Sequence, residues 1–134
     1  MKTTQIMATV ALMILGSTLA TNVARAQQPG IRRTELQRHD LSVAGREVVQ
    51  VRVDFDPGVV FPGHRHPGEE IVNVLEGSLE YRVEGKPPVT LNKGDVLFIP
   101  AGAVHAVRNV GSGEASELAT YIVEKGKPLL TPAK

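Results

Sequence analysis

The sequence predicts an all-β domain, a sandwich or a barrel built from short strands. Three observations carry that reading. Apolar and polar residues alternate with a period of two through most of the chain after residue 45. Gly, Pro, Asn and Asp clusters interrupt the alternation at close spacing. Beyond the first 26 residues, no window sustains the 3.6-residue apolar period of an amphipathic helix. A length of 134 residues is that of one domain.

The N-terminal 26 residues stand apart: "MKTTQIMATVALMILGSTLATNVARA" has Lys2 near its start, an apolar run from Ile6 to Leu15, and Ala24-Arg25-Ala26 at its end. That order is an export signal, with cleavage expected after Ala26 and a periplasmic or secreted product. The apolar run is shorter than the roughly 20 residues of a membrane span. No membrane association is therefore expected after cleavage; an uncleaved anchor is the alternative. Lys2 and Arg25 account for the slight basicity of the whole chain, formally +1, so the mature chain is slightly acidic. With no basic field, no Trp and few aromatic residues, nucleic acid is not an expected partner. The chain has no cysteine, so export brings no disulfide.

In "QQPGIRRTELQRHDLSVAG" one short edge strand is expected near Ile31–Leu36. "REVVQVRVDF" then places Val49, Val51, Val53 and Phe55 on one face. Asp56-Pro57-Gly58 is a turn, and "GVVFPGHRH" is strand-like with an edge or bulge at Pro62. Pro67-Gly68 reads as a turn, "EEIVNVL" as a strand, and Glu76-Gly77 as a tight turn into "SLEYRVEG". "VTLNKGDVLFIPAG" gives two short strands about Asn92–Asp95; "AVHAVRNVG" and "SELATYIVEKG" supply the last two. Eight or nine strands result, and "KPLLTPAK" reads as an irregular tail.

The stretch "GHRHPGEE", residues 63–70, holds two of the four histidines. On a strand, residues i and i+2 share a face, so His64 and His66 project together and Arg65 points away. Two imidazoles side by side need partners and repel when both are protonated. A divalent metal resolves this by accepting one lone pair from each neutral ring. A solvated pair on an exposed strand is the alternative for two histidines taken alone.

Their surroundings are more specific. Gly58, His64, His66, Glu70 and Gly77 follow the spacing G-x5-H-x-H-x3-E-x6-G. Gly94, Pro100, Gly102, His105 and Asn109 follow G-x5-P-x-G-x2-H-x3-N. Position for position, these runs resemble the two signature motifs of the cupin superfamily, and the resemblance extends from about Arg46 to Val123. It implies a double-stranded β-helix, or jelly-roll barrel. Together with the export signal, it divides the chain into a signal peptide (1–26), an N-terminal extension (27–45), a cupin barrel (46–124) and a C-terminal tail (125–134). It also implies that His64, His66, Glu70 and His105 are metal ligands. Strand parity alone does not choose between Glu69 and Glu70; the motif spacing chooses Glu70 and leaves Glu69 at the rim. His39, Arg65, Arg82 and Arg108 are expected at the surface. Tyr81 and Tyr121 are expected to pack, with a proton-donor role as the alternative.

Three imidazoles and one carboxylate suit one divalent transition metal, Zn, Cu, Mn, Fe or Ni, and disfavour Ca or Mg. "MKTTQ" lacks a twin-arginine pair, so the metal would be acquired outside the cytoplasm, where Cu or Zn outcompetes Mn or Fe. Two functions fit. One is a metal-dependent, oxygenase-type oxidoreductase, or a Lewis-acid lyase or isomerase, on a small chelating substrate. The other is a non-catalytic metal- or small-ligand-binding module. No catalytic residue beyond the ligands is identified. A homodimer is expected by resemblance, since exposed sheet edges must be covered.

Overall fold

The computed structural model describes residues 28–134 and is all-β. The export-signal reading falls on residues outside those described. Ten strands form, against the eight or nine expected: β1 (Ile31–Asp40), β2 (Arg46–Phe55), β3 (Val60–Arg65), β4 (Gly68–Glu76), β5 (Ser78–Val83), β6 (Val89–Asn92), β7 (Val96–Ile99), β8 (His105–Asn109), β9 (Ala115–Glu124) and β10 (Thr131–Pro132). They make two five-stranded sheets, ordered β1-β2-β9-β4-β7 and β10-β3-β8-β5-β6, with every pairing antiparallel. This is the jelly-roll architecture.

Alternation decides which face is inside. Val49, Val51, Val53 and Phe55 on β2 are buried, as are Val72 and Val74 on β4, and Ala119, Tyr121 and Val123 on β9. Leu79, Tyr81 and Val83 of β5 and Val107 of β8 meet them from the opposite sheet. Each Val, Leu or Phe side chain withdrawn from water contributes roughly 1.5–3 kcal/mol before conformational entropy is counted.

Asn109, the last position of the second motif, is 1% exposed and ties the barrel's end together. Its side-chain amide donates to the carbonyls of Phe55, Asp56 and Gly113, and its carbonyl accepts from Gly111 N–H. Gly77 has φ +74° and turns β4 into β5.

Three expectations change. β1 runs to Asp40 and pairs with β2 along its whole length, beyond the short strand expected near Ile31–Leu36. Gly68 is the first residue of β4 and not part of a turn. The tail supplies β10, which pairs with β3 at Arg65 and His64. The bulge expected at Pro62 is present as a register shift between Phe61 and His64.

Candidate metal centre

His64 is the last residue but one of β3 and His105 begins β8, and the two are direct cross-strand partners. Pro100-Ala101-Gly102 turns the chain so that His105 re-enters there, with Ala103 N–H donating to the Pro100 carbonyl. His66 follows β3. Glu70 comes from β4 in the facing sheet, on the same face as Val72 and Val74. The four are nearly inaccessible: His64 5%, His66 4%, Glu70 3% and His105 2% exposed. Glu69 is half-buried on the opposite face, and Arg65, Arg82, Arg108 and His39 are exposed.

Each imidazole has its Nδ1 against a backbone carbonyl: His64 on Pro62 at 2.8 Å, His66 on Leu129 at 2.6 Å, and His105 on Ala103 at 3.0 Å. A carbonyl only accepts, so each Nδ1 carries the proton, and in the neutral ring each Nε2 is a bare lone pair. One ring nitrogen from each histidine lies within 4.8 Å of the others, a cluster that fits a metal ion. Glu70 Oε2 is 3.2 Å from His66 Nε2 and 3.0 Å from His105 Nε2. Those are ion-pair distances, yet neither contact has hydrogen-bond geometry, and His66 Nε2 and Glu70 Oε2 are both left without a hydrogen-bond partner. Lone pairs therefore face lone pairs in a buried space, which only a cation relieves well. The separations also match adjacent donors on an ion held at about 2.1 Å.

The charge states agree. Burial, then the neighbouring His105, holds His64 well below the ordinary histidine range, at about 3, so the ring is neutral. Burial pushes the Glu70 carboxyl up, and it is held down, at about 2, only where an N–H or positive charge on His105 and His66 faces it, the place a cation would take. A neutral His64 and an ionised Glu70 are the forms a metal requires.

Two aromatic rings wall the histidines. Phe61 meets His64 edge-on at 4.4 Å between ring centroids, and Tyr121 lies 4.6 Å from His66. A hollow of about 420 Å³ opens beside His105, between Gly63, Val83, Val104 and the C-terminal Ala133 and Lys134. Another, of about 310 Å³, lies on the outer face of β5 and β8 and reaches none of the four side chains.

The Cupin_2 cupin-domain family model matches residues 51–121, more than half of the chain. The chain belongs to the cupin superfamily. Among curated cupins it is similar to the dimethylsulfoniopropionate lyase DddQ of Ruegeria pomeroyi, with 47% identity over 51 residues, covering 38% of this chain and 25% of the lyase. A germin-like protein of Arabidopsis thaliana, subfamily 2 member 5, is 40% identical over 75 residues, covering 52% of this chain and 35% of that one. This cupin thus spans only a quarter to about a third of the length of these curated relatives. Among solved structures, recombinant oxalate oxidase in complex with glycolate superposes with a TM-score of 0.64 at 29% identity, covering 79% of this chain and 57% of that one. The Ruegeria lyase superposes with a TM-score of 0.58 at 30% identity, covering 64% of this chain and 43% of that one.

The cupin barrel also holds polar groups that the sequence did not mark. Glu117 on β9 is 3% exposed, and its carboxyl accepts a hydrogen bond from the Tyr81 hydroxyl across the barrel. Burial, reinforced by Glu70, pushes Glu117 up to about 8. The folded state therefore keeps this carboxyl protonated where the unfolded chain, near 4.5, ionises it. That contribution to stability is full below about pH 4.5 and is lost as pH rises through about 8. Glu117→Gln, which stays neutral, should gain on wild type by more than about 1 kcal/mol between pH 5 and 8. Urea denaturation of metal-stripped protein checks this, and a pH-independent difference contradicts it.

Proposed function

We propose that this cupin holds one divalent transition metal through His64, His66, Glu70 and His105, with His64, His66 and His105 binding by Nε2. We further propose that it acts as an oxygenase-type oxidoreductase, or as a lyase or isomerase, on a small chelating substrate. The observation that carries the reading is the convergence of three tautomer-fixed nitrogen lone pairs and one ionised carboxylate in a buried space. A bound ion supplies Lewis acidity and coordination positions for a substrate. The chain's own residues supply the rest. The Pro62, Ala103 and Leu129 carbonyls orient the rings, and Phe61 and Tyr121 pack against two of them. Two relatives are named for small carboxylates, dimethylsulfoniopropionate and oxalate, which favours a substrate of that kind.

The near-complete burial of the four side chains favours a second reading, a non-catalytic metal-binding module. Oxygen uptake and substrate loss by the metal-loaded protein separate the two. The panel is oxalate, glycolate, dimethylsulfoniopropionate, catechols and 1,3-diketones, each with Zn, Cu, Mn, Fe and Ni. Turnover supports the enzyme; none with any metal leaves the binding module.

Leu129 gives the tail a role in this site. Its carbonyl accepts from His66 Nδ1–H, its side chain packs on the core, and Ala133 N–H donates to the Gly63 carbonyl. Deleting residues 127–134 should weaken metal binding by about 10- to 100-fold, the usual cost of removing a ligand's orienting partner. Chelator competition measures this, and circular dichroism confirms that the sheets persist. Unchanged affinity would show that the tail is dispensable.

Export through residues 1–26 would place metal loading outside the cytoplasm and favour Zn or Cu. A mature N-terminus at Gln27 tests the export. A homodimer is supported by an exposed apolar patch, Ile71 (40%) and Phe98 (55%) paired across β4 and β7, with Val96 (63%) beside them. Sedimentation tests it.

A further inference from the structure

Arg33 is out of keeping with its strand. β1 is an edge strand of mostly exposed residues, yet Arg33 pairs with the buried Val53 and shares the inward face with Ile31. Its guanidinium lies 5.9 Å from the Phe61 ring centroid and 5.8 Å from that of Tyr121, and it donates to the Tyr121 hydroxyl at 3.2 Å. Those two rings are the ones that pack on His64 and His66. The cation therefore stands one aromatic ring away from two of the four converging side chains.

It stands there without a counter-charge. Its β1 neighbours are paired, Arg32 with Asp56 and Glu114, and Arg38 with Glu35 and Glu47. Among the described residues Arg33 forms no ion pair, its one hydrogen bond being to a neutral phenol. The buried carboxyl of Glu117 is engaged by the Tyr81 hydroxyl and not by Arg33. Half-burying a guanidinium is costly unless something compensates it, and two ring faces compensate it only in part. With a divalent ion on three neutral imidazoles and one carboxylate, the interior carries about +1, and Arg33 raises it to about +2. Such a space selects an anion, and a planar guanidinium matches a carboxylate in particular.

We infer that Arg33 is the anion-recognition residue of the site, holding the carboxylate of a small substrate whose second donor atom would reach an ion held by His64, His66, Glu70 and His105. This rests on the metal-centre reading and deepens it by naming the substrate's charged group and the residue that reads it. The edge strand β1 then belongs to the site, and not merely to the wall of the barrel.

The test uses the full chain loaded with Zn²⁺, and titration calorimetry with glycolate and its neutral analogue glycolamide. Wild type should bind glycolate more tightly than glycolamide. Arg33→Gln should weaken glycolate by about 10- to 100-fold while leaving glycolamide within about twofold. Arg33→Lys keeps the charge and loses the fork, so glycolate should fall only several-fold; it also serves if the glutamine variant does not fold. Zn²⁺ affinity, measured on each protein, should be unchanged. A purely structural role would move both ligands together, and that result overturns the inference. So does a wild type that does not distinguish glycolate from glycolamide. A wild type that takes up no Zn²⁺ instead overturns the metal-centre reading beneath it.

Discussion

Gly68→Ala is expected to destabilise the domain by about 3 kcal/mol or more, the upper end of what overpacking costs. A methyl group at this position would sit 2.1 Å from the Ile122 carbonyl oxygen and 2.7 Å from Val123 Cα. Both are backbone atoms of β9, fixed by a ladder that runs from Gly68↔Val123 to Glu76↔Ser116. No side-chain rotation relieves the clash, so the start of β4 must move away from β9. That movement would also displace Glu70, two residues on. Gly113→Ala is the control: nothing lies within 4 Å of its would-be methyl, and it should change stability by less than about 0.5 kcal/mol. Urea unfolding of the two variants checks both. A Gly68→Ala protein as stable as wild type would mean that β4 and β9 do not approach as closely as described.

The second large effect is on metal binding. Glu70→Ala should lower metal affinity by two orders of magnitude or more, because it removes the one anionic donor among the four. Glu69→Ala should change affinity by less than about threefold, since its side chain lies on the other face of β4, where solvent screens it. Adjacent carboxylates, one residue apart, thus separate the barrel interior from its exterior. Chelator competition on both variants reads this out. The reverse order of effects would place β4 one residue out of register.

Most of the barrel was legible because alternation was strict where both sheets bury their inner faces. Val49 to Phe55 and Leu79 to Val83 needed no other signal. β1 was only partly legible, since nine of its ten residues are half-buried or exposed and an edge strand need not alternate. Gly68 was misread because Pro-Gly is a turn signal, while this glycine answers to the approach of a strand more than 50 residues distant in sequence. The spacing of the two motifs anticipated which side chains converge; the structure adds the carbonyls that fix their tautomers. Leu129 could not be found from sequence, because a backbone carbonyl has no residue signature. Glu117 and Arg33 were equally hidden. Each is a single polar residue whose inward direction depends on a register; Glu117 meets Tyr81 across the barrel, and Arg33 meets Tyr121 two strands away in its own sheet.

The central claim is a metal held by four named side chains. Its most direct test is a crystal structure of the metal-loaded protein, with anomalous data collected on either side of the metal's absorption edge. The account predicts one strong anomalous peak within about 2.0–2.3 Å of the Nε2 atoms of His64, His66 and His105 and of a Glu70 carboxylate oxygen. Protein soaked in metal that shows no peak there, or a peak bound through Nδ1 with the backbone carbonyls released, would contradict it.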